Sequence, residues 1–415
     1  MRPNSGKGCS EQTQNQFTYI FILFTNIFKT WQLINMNFSI SERQLEIITA
    51  IEAYLTRRLP PEEIRRRDTN HIPPYDLLPE LGELGILGLV VPEKWGGLGQ
   101  DWQTLSLVQE KVAQHAYFAG SIINRVVGFG IMTLLQNGTQ NQIEKHVPLL
   151  VKGQSLMALA LTESQAGSDA GAIETRGWRV GNNWRIHGRK VWISDAKGAT
   201  ELLVLARTDP KSQGSQGVTM FMVPSHASGV NMTELHKVGN NAMPSWDVGF
   251  DEVEVTDEGV LGEINQGFKV LASTLHYSRS SLAATCTGCA EAVLQMTLNH
   301  VQERQQFGKP LGQRQVIRHR LADMRMKVDQ LRLTVRHLSW LIDTNQDCQR
   351  QASQAKVFAS ETLQFISEQA MQLFASQGYS IESDIQRIWR DSRLYTFGEG
   401  TNEIQRDFIA RKMGL

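Results

Sequence analysis

The chain has 415 residues, with 42 Lys plus Arg against 42 Asp plus Glu. A formal net charge of zero argues against a protein that grips nucleic acid through a basic surface. At 41% apolar residues the composition is globular, the length suggests about two or three domains of ~150 residues, and four cysteines are too few for a disulfide framework and fit a reducing cytoplasm.

Residues 17–28 form an apolar run behind Arg2 and Lys7. The run is shorter than the ~20 residues of a membrane span. No small-residue cleavage site follows it, since Lys29, Trp31 and Gln32 stand there. Met36 precedes Asn37-Phe38-Ser39, after which helical periodicity begins at once. Residues 1–35 are therefore expected to be a non-native or disordered extension.

Residues 36–155 read as an α-helical domain. Ser39-Ile40-Ser41-Glu42 has a capping-box pattern, and Leu45, Ile48, Ile51 and Leu55 then recur at helical spacing until Pro60-Pro61. Residues 102–116 and 122–135 are further helical segments. Residues 156–266 read as a small β module, a barrel or sandwich. Residues 177–187 read as a hairpin around Gly181-Asn182-Asn183, and residues 202–206 and 218–223 are β-rich runs. Residues 267–415 return to amphipathic helices, with 298–303, 315–341 and 355–374 the plainest, as a four-helix bundle requires. The fold class is α+β in the order helices, sheet, helices.

No G-x-G-x-x-G opens a helix after a strand, no P-loop pattern occurs, and no H-E-x-x-H suggests a metal. Cys286 and Cys289 form a C-x-x-C without a second pair, which reads as small residues on a packed helix.

Four stretches carry the candidate chemistry. Leu161-Thr162-Glu163-Ser164-Gln165-Ala166-Gly167-Ser168-Asp169 combines hydroxyls, a glycine and backbone donors that can cradle a polar ligand; an ordinary polar turn reads the same. In Lys190-Val191-Trp192-Ile193-Ser194 the indole can lie on a flat ring and the Ser hydroxyl can bond a ring nitrogen; a core Trp in a strand reads the same. Glu303-Arg304-Gln305-Gln306-Phe307-Gly308-Lys309-Pro310-Leu311, with Gln315 beyond, offers a forked cation for a pyrophosphate, or a solvated helix end. In Phe397-Gly398-Glu399-Gly400-Thr401-Asn402-Glu403-Ile404-Gln405 a carboxylate sits between two glycines that allow close approach of a ligand; an exposed loop glutamate is the alternative.

In this order, behind Val91-Pro92-Glu93-Lys94-Trp95-Gly96-Gly97-Leu98-Gly99, these stretches resemble the acyl-CoA dehydrogenase family over residues 37–415. The resemblance implies an enzyme with FAD extended between the β module and the C-terminal helices. Leu161, Thr162, Gly167 and Ser168 match its flavin-ring loop, and Trp192, Ile193 and Ser194 the strand beside the isoalloxazine. Arg304, Phe307, Gln315 and Gln372 match contacts to the FAD of a neighbouring subunit, and Thr401 and Asn402 the adenosine half. Shared flavin sites imply a homotetramer. Glu399 matches the base that takes the α-proton of an acyl thioester, while the β-hydrogen leaves as hydride to flavin N5. Burial against flavin and acyl chain would strengthen such a base. The resemblance implies Ser168, Arg279 and Gly400 as the substrate-side residues. Some relatives carry the base just before the arginine of an earlier helix; here that place is Ser278, which cannot serve, and Glu403 fits a cofactor-side position better.

The chain departs from the family where Ala375-Ser376 replaces a Gly-Gly pair and where Gly398 precedes the base in place of Tyr. The substrate the resemblance implies is an acyl thioester, on CoA or on a carrier protein. The wording of Gly398-Glu399-Gly400-Thr401-Asn402 is similar to prolyl-carrier-protein dehydrogenases of specialised metabolism, including the anatoxin-type pathway. Arg314, Arg318, Arg325, Arg332 and Arg336 fall on one helical stripe that could meet an acidic carrier protein; a solvated face or an intersubunit contact is the plainer reading. A short- or medium-chain acyl-CoA dehydrogenase of catabolism is the alternative, and a flavin-free binding protein the remote one. The acceptor expected from the resemblance is an electron-transfer flavoprotein or O2. No membrane partner is implied.

Overall fold

The computed structural model describes residues 39–415, so the expectation for residues 1–35 lies outside the described residues. Residues 42–415 cluster as one unit. Its first helix, α1 (Glu42–Arg58), buries Ile48, Ile51, Tyr54 and Leu55 as a single stripe. Pro61 opens α2 (Pro61–Thr69) at the first helical position, where a missing N–H is harmless. After α3 (Leu78–Glu83), α4 (Trp102–His115) is capped by Asp101, whose carboxylate accepts from Thr104 N at 2.7 Å.

The expected helix over residues 122–135 is only partly α-helical. α5 (Tyr117–Ile123) runs straight into a π-helical segment, Asn124–Ile131, before α6 (Met132–Asn137). The stretch is buried on most sides, so its apolar pattern does not report the number of residues per turn. α7 (Gln140–Val151) closes this layer with a capping box between Thr139 and Gln142.

The central module is one mixed sheet of eight strands: β1 (Met157–Ala160), β2 (Arg176–Val180), β3 (Asn183–Ser194), β4 (Glu201–Arg207), β5 (Val218–Pro224), β6 (Val230–Leu235), β7 (Ser245–Thr256) and β8 (Val260–Leu261). Strand order is β6-β7-β3-β2-β4-β5-β8, with β1 parallel to β4. The expected hairpin is present: β2 and β3 pair antiparallel around Gly181, whose φ is 61°. The β3–β7 register slips between Lys190 and Ile193, a bulge that re-aims the residues between them.

The last domain is built on α8 (Gly267–Glu303), α9 (Gln315–Asp343) and α10 (Gln349–Phe374), with α11 (Asp384–Ser392) and α12 (Asn402–Lys412) packed on α10. A short hairpin of β9 (Gln305–Gln306) and β10 (Lys309–Pro310) joins α8 to α9. α8 is the central helix, lying against α4, α9 and α10, and its middle is made of small buried residues including Cys286 and Cys289. A Cβ at Gly288 would lie 2.0 Å from the Glu110 carbonyl oxygen, so α4 and α8 cross backbone to backbone.

Candidate active site

Glu399 lies between the 3-10 turn Arg393–Thr396 and α12, with φ at 56°. A non-glycine residue keeps such a backbone only where its surroundings hold it. Here Gln405 Nε2 donates to the Glu399 carbonyl at 3.2 Å, and Lys356 Nζ on α10 donates to the Gly400 carbonyl at 2.7 Å. Thr401 caps α12, its Oγ1 accepting from Ile404 N at 3.3 Å. Asn402 is buried, and its side chain meets Lys356 Nζ at 2.9 Å and Ser360 Oγ at 3.0 Å. That side chain anchors the loop from inside. Burial pushes the Lys356 ammonium down to about 8, with the Glu399 charge opposing.

The Glu399 carboxylate is met from two other elements. Asn124 Nδ2, on the π-helical segment, donates to Oε1 at 3.0 Å. Ser278 Oγ, on α8, donates to Oε2 at 2.6 Å. Arg279, one residue on, is partly buried, and its Nη1 donates to Ser353 Oγ at 3.3 Å. Desolvation lowers its pKa, while the Glu399 charge acts the other way.

The second group gathers on the sheet. Lys190 on β3 is buried, and its Nζ donates to Glu163 Oε1 at 2.7 Å and to the Leu161 carbonyl at 3.0 Å. Glu163 also accepts from Glu174 N at 2.7 Å and Thr175 N at 3.0 Å. Burial pushes this carboxyl up, but Lys190 and those donors prevail and hold it down at about 2. Val191 N donates to the Thr162 carbonyl at 2.8 Å, so the loop after β1 and the end of β3 form one surface. On it Thr162 and Ser194 are partly exposed, and Gly167 and Ser168 exposed. Trp192 sits on the bulge with φ at 62° and is 56% exposed, so it is not a core tryptophan. Ile193 is buried and offers that surface only its backbone. An outward indole beside three hydroxyls fits a flat heteroaromatic ring such as flavin, which would rest here.

The two groups meet through consecutive residues. Asn124 holds Glu399, while Arg125 Nε lies 2.5 Å from Asp195 Oδ2, immediately after Ser194. Tyr75 OH donates to the other Asp195 oxygen at 3.1 Å. One segment therefore touches both groups, through Asn124 on the carboxylate and Arg125 on the residue after Ser194.

Arg304, Phe307, Gln315 and Gln372 are not part of this assembly. They are exposed at the far end of the last domain, where the His300 ring stacks on Phe374 at 4.0 Å. Arg304 follows Ser278 by 26 positions, all but the last on one helix, which at 1.5 Å per residue is roughly 39 Å. Within one chain the two groups cannot act on the same reacting atoms.

Single-residue reasoning missed Asn124, Lys190, Lys356 and Asp195. Lys356 carries a signal in retrospect, being a lone cation in a run of mostly small residues, whereas Lys190 follows Arg189 and reads as one of two neighbouring cations. Asn124 carries none.

The fold and the site together define a flavin-type dehydrogenase layout with a poised carboxylate. The chain matches the N-terminal, middle and C-terminal domains of acyl-CoA dehydrogenase over residues 41–154, 158–253 and 265–414. It is 33% identical to the probable acyl-CoA dehydrogenase YngJ of Bacillus subtilis, across 91% of this chain and 100% of that one. Butyryl-CoA dehydrogenase from Megasphaera elsdenii superposes with a TM-score of 0.88 at 30% identity, covering 91% of this chain and 100% of that one. The prolyl acyl carrier protein oxidase AnaB shares the fold, with a TM-score of 0.87 at 24% identity and coverage of 91% and 100%. The chain belongs to the acyl-CoA dehydrogenase family and is a FAD-dependent dehydrogenase of acyl thioesters.

Proposed function

We propose that Glu399 is the base that removes the α-proton of a short acyl-CoA. The observation that carries this is the carboxylate's placement, with side chain and backbone each held by donors from other elements. Bound FAD supplies the acceptor for the β-hydrogen, which leaves with its electron pair. Glu399 takes the α-proton, and a carbon–carbon double bond forms between the two positions. The Glu399 backbone N–H is suited to the thioester oxygen, where negative charge develops. Leu161, Thr162, Gly167, Ser168, Trp192, the Ile193 backbone and Ser194 would hold the ring. Arg279 and Gly400 border the thioester.

Short acyl-CoA is favoured by relatives of that specificity. The short-chain specific acyl-CoA dehydrogenase of Rattus norvegicus is 32% identical across 83% of each chain. A prolyl or aminoacyl group on a carrier protein, as in natural-product biosynthesis, is the second reading, resting on the wording of residues 398–402. The arginine stripe lends it less than its spacing suggests. Arg325 is paired with Glu291 and Asp329 at 2.9 and 2.7 Å, and Arg332 with Glu110 and Glu291 at 2.7 and 2.8 Å. Those charges are spent inside the chain.

The remote cluster of Arg304, Phe307, Gln315 and Gln372 is assigned to the FAD of a second copy, which requires an oligomer. An electron-transfer flavoprotein is the proposed acceptor, supported by the 32% identical Caffeyl-CoA reductase-Etf complex subunit CarC of Acetobacterium woodii. Peroxide release under air would point to O2 instead. The test offers butyryl-CoA and carrier-linked prolyl thioester to the FAD-bound protein and follows loss of two hydrogens by mass spectrometry. Glu399→Gln is expected to retain flavin absorbance and lose turnover of the preferred thioester by at least about 10³-fold. Wild-type-like turnover would falsify the base assignment.

A further inference from the structure

The carboxylate of Glu399 is gripped at both ends. Asn124 is 4% exposed and Ser278 fully buried, so neither donor has water as an alternative partner. The two arrive from separate elements, and Ser278 is 121 positions from Glu399 in sequence. The Asn124 amide is fixed in orientation. Its Oδ1 is turned toward Gly128, where an added Cβ would lie only 2.3 Å from that oxygen and 3.1 Å from Ser278 Cα. A flipped amide would set Oδ1 against the carboxylate. The wide π turn at residues 124–131 carries the asparagine, and the missing side chain at 128 lets the turn close onto α8.

The two donors differ in chemistry. An amide NH2 only donates, whereas a hydroxyl donates or accepts. Asn124 therefore suits Oε1 only while that oxygen carries no proton. Ser278 suits Oε2 in either state, since it can donate to the carboxylate and accept from the carboxylic acid.

Resting on the assignment of Glu399 as base, we propose that Asn124 and Ser278 are positioning residues that orient the carboxylate and direct the incoming proton to Oε2. In the step, the α-C–H bond breaks, its proton bonds to Oε2 and Ser278 Oγ turns from donor to acceptor. The electron pair of that bond goes into the new double bond, and the β-hydrogen leaves with its own pair to the acceptor that bound FAD would supply. Other ionisable groups with an electrostatic influence on Glu399 are Arg279 and Cys286 on α8 and Lys356 on α10; all three remain in the variants below.

The experiment compares Ser278→Ala, Ser278→Thr and Asn124→Leu with wild type and with Glu399→Gln, all as FAD-bound protein with butyryl-CoA. Hydrogen bonds to a charged group contribute about 1.5–3 kcal/mol, so Ser278→Ala is expected to lower kcat roughly 10- to 100-fold with KM within about twofold. The acidic limb of kcat/KM should move to higher pH, because a donor to the ionised form is gone. Ser278→Thr keeps the hydroxyl and should restore most of kcat. Asn124→Leu should lower kcat and keep flavin absorbance. The clamp is overturned if Glu399→Gln is inactive while Ser278→Ala and Asn124→Leu keep kcat within about twofold with an unmoved pH limb. If Glu399→Gln is itself active, the base assignment fails first and takes the clamp with it.

Discussion

At the scale of single residues, positive φ at non-glycine positions occurs both at the site and away from it. Trp192 and Glu399 both adopt positive φ, and each places its side chain where a ligand or a reacting group is proposed to meet it. Ala375 also has positive φ, 53° with ψ at −135°, a combination that glycine accepts and a Cβ resists. The family resemblance leads one to expect a glycine pair here, so the chain makes the turn without the residue that suits it. Ala375→Gly should therefore raise stability, with strain relief of about 1–3 kcal/mol set against ~0.5–1 kcal/mol of added unfolded-state freedom. A higher thermal midpoint is the expected reading, and an unchanged or lower one would show that the turn carries no strain. The sequence reveals Glu399 and Trp192 because their neighbours resemble a family pattern. It does not reveal Asn124, because the partner that gives it meaning is 275 positions away.

At the scale of elements, the order of helices, sheet and helices is legible because the apolar period changes from about 3.6 to 2 and back. The bulge in β3 and the π turn after α5 are not, since one residue of slip or an extra residue per turn leaves a buried apolar run looking the same. Nor does a strand pattern show that Lys190 faces inward to meet Glu163. That pair joins the loop after β1 to β3, and its pH dependence follows from the carboxyl. Glu163 is held at about 2, below its ordinary 4.5, so its contribution to stability is complete above pH 4.5 and fades as pH falls toward 2. Glu163→Gln leaves Lys190 buried without its counter-charge, which costs about 3–5 kcal/mol at neutral pH. The gap in thermal midpoint between wild type and variant should narrow on acidification through that window. A gap that stays constant from pH 6 to pH 3 would contradict the pair's role. Flavin absorbance should fall in the variant as well, because the same loop carries Thr162 and Ser168.

At the scale of the whole molecule, the three layers are tied by buried polar contacts as well as by one continuous apolar core. Arg390 on α11 reaches Asp68 on α2, and Asp391 accepts from Asn240 N at 2.6 Å, so the last domain holds both the first layer and the sheet module. The tie nearest the site is Arg125–Asp195, which fixes the π-helical segment to the end of β3. Asp195 is fully buried, and burial raises its pKa while Arg125 opposes. Removing the guanidinium strands that carboxylate, so Arg125→Met should cost about 3–5 kcal/mol, whereas Arg125→Met with Asp195→Leu removes both charges and should recover a large part. The loss should extend beyond stability, because Asn124 and Ser194 flank the pair on either side. The single variant is expected to release FAD more readily and turn over more slowly, and the double variant to regain thermal midpoint ahead of turnover. Urea unfolding of the FAD-bound protein with parallel turnover measurements separates the two effects. A single variant within about 0.5 kcal/mol of wild type would show that the apolar core alone holds the base against the flavin surface.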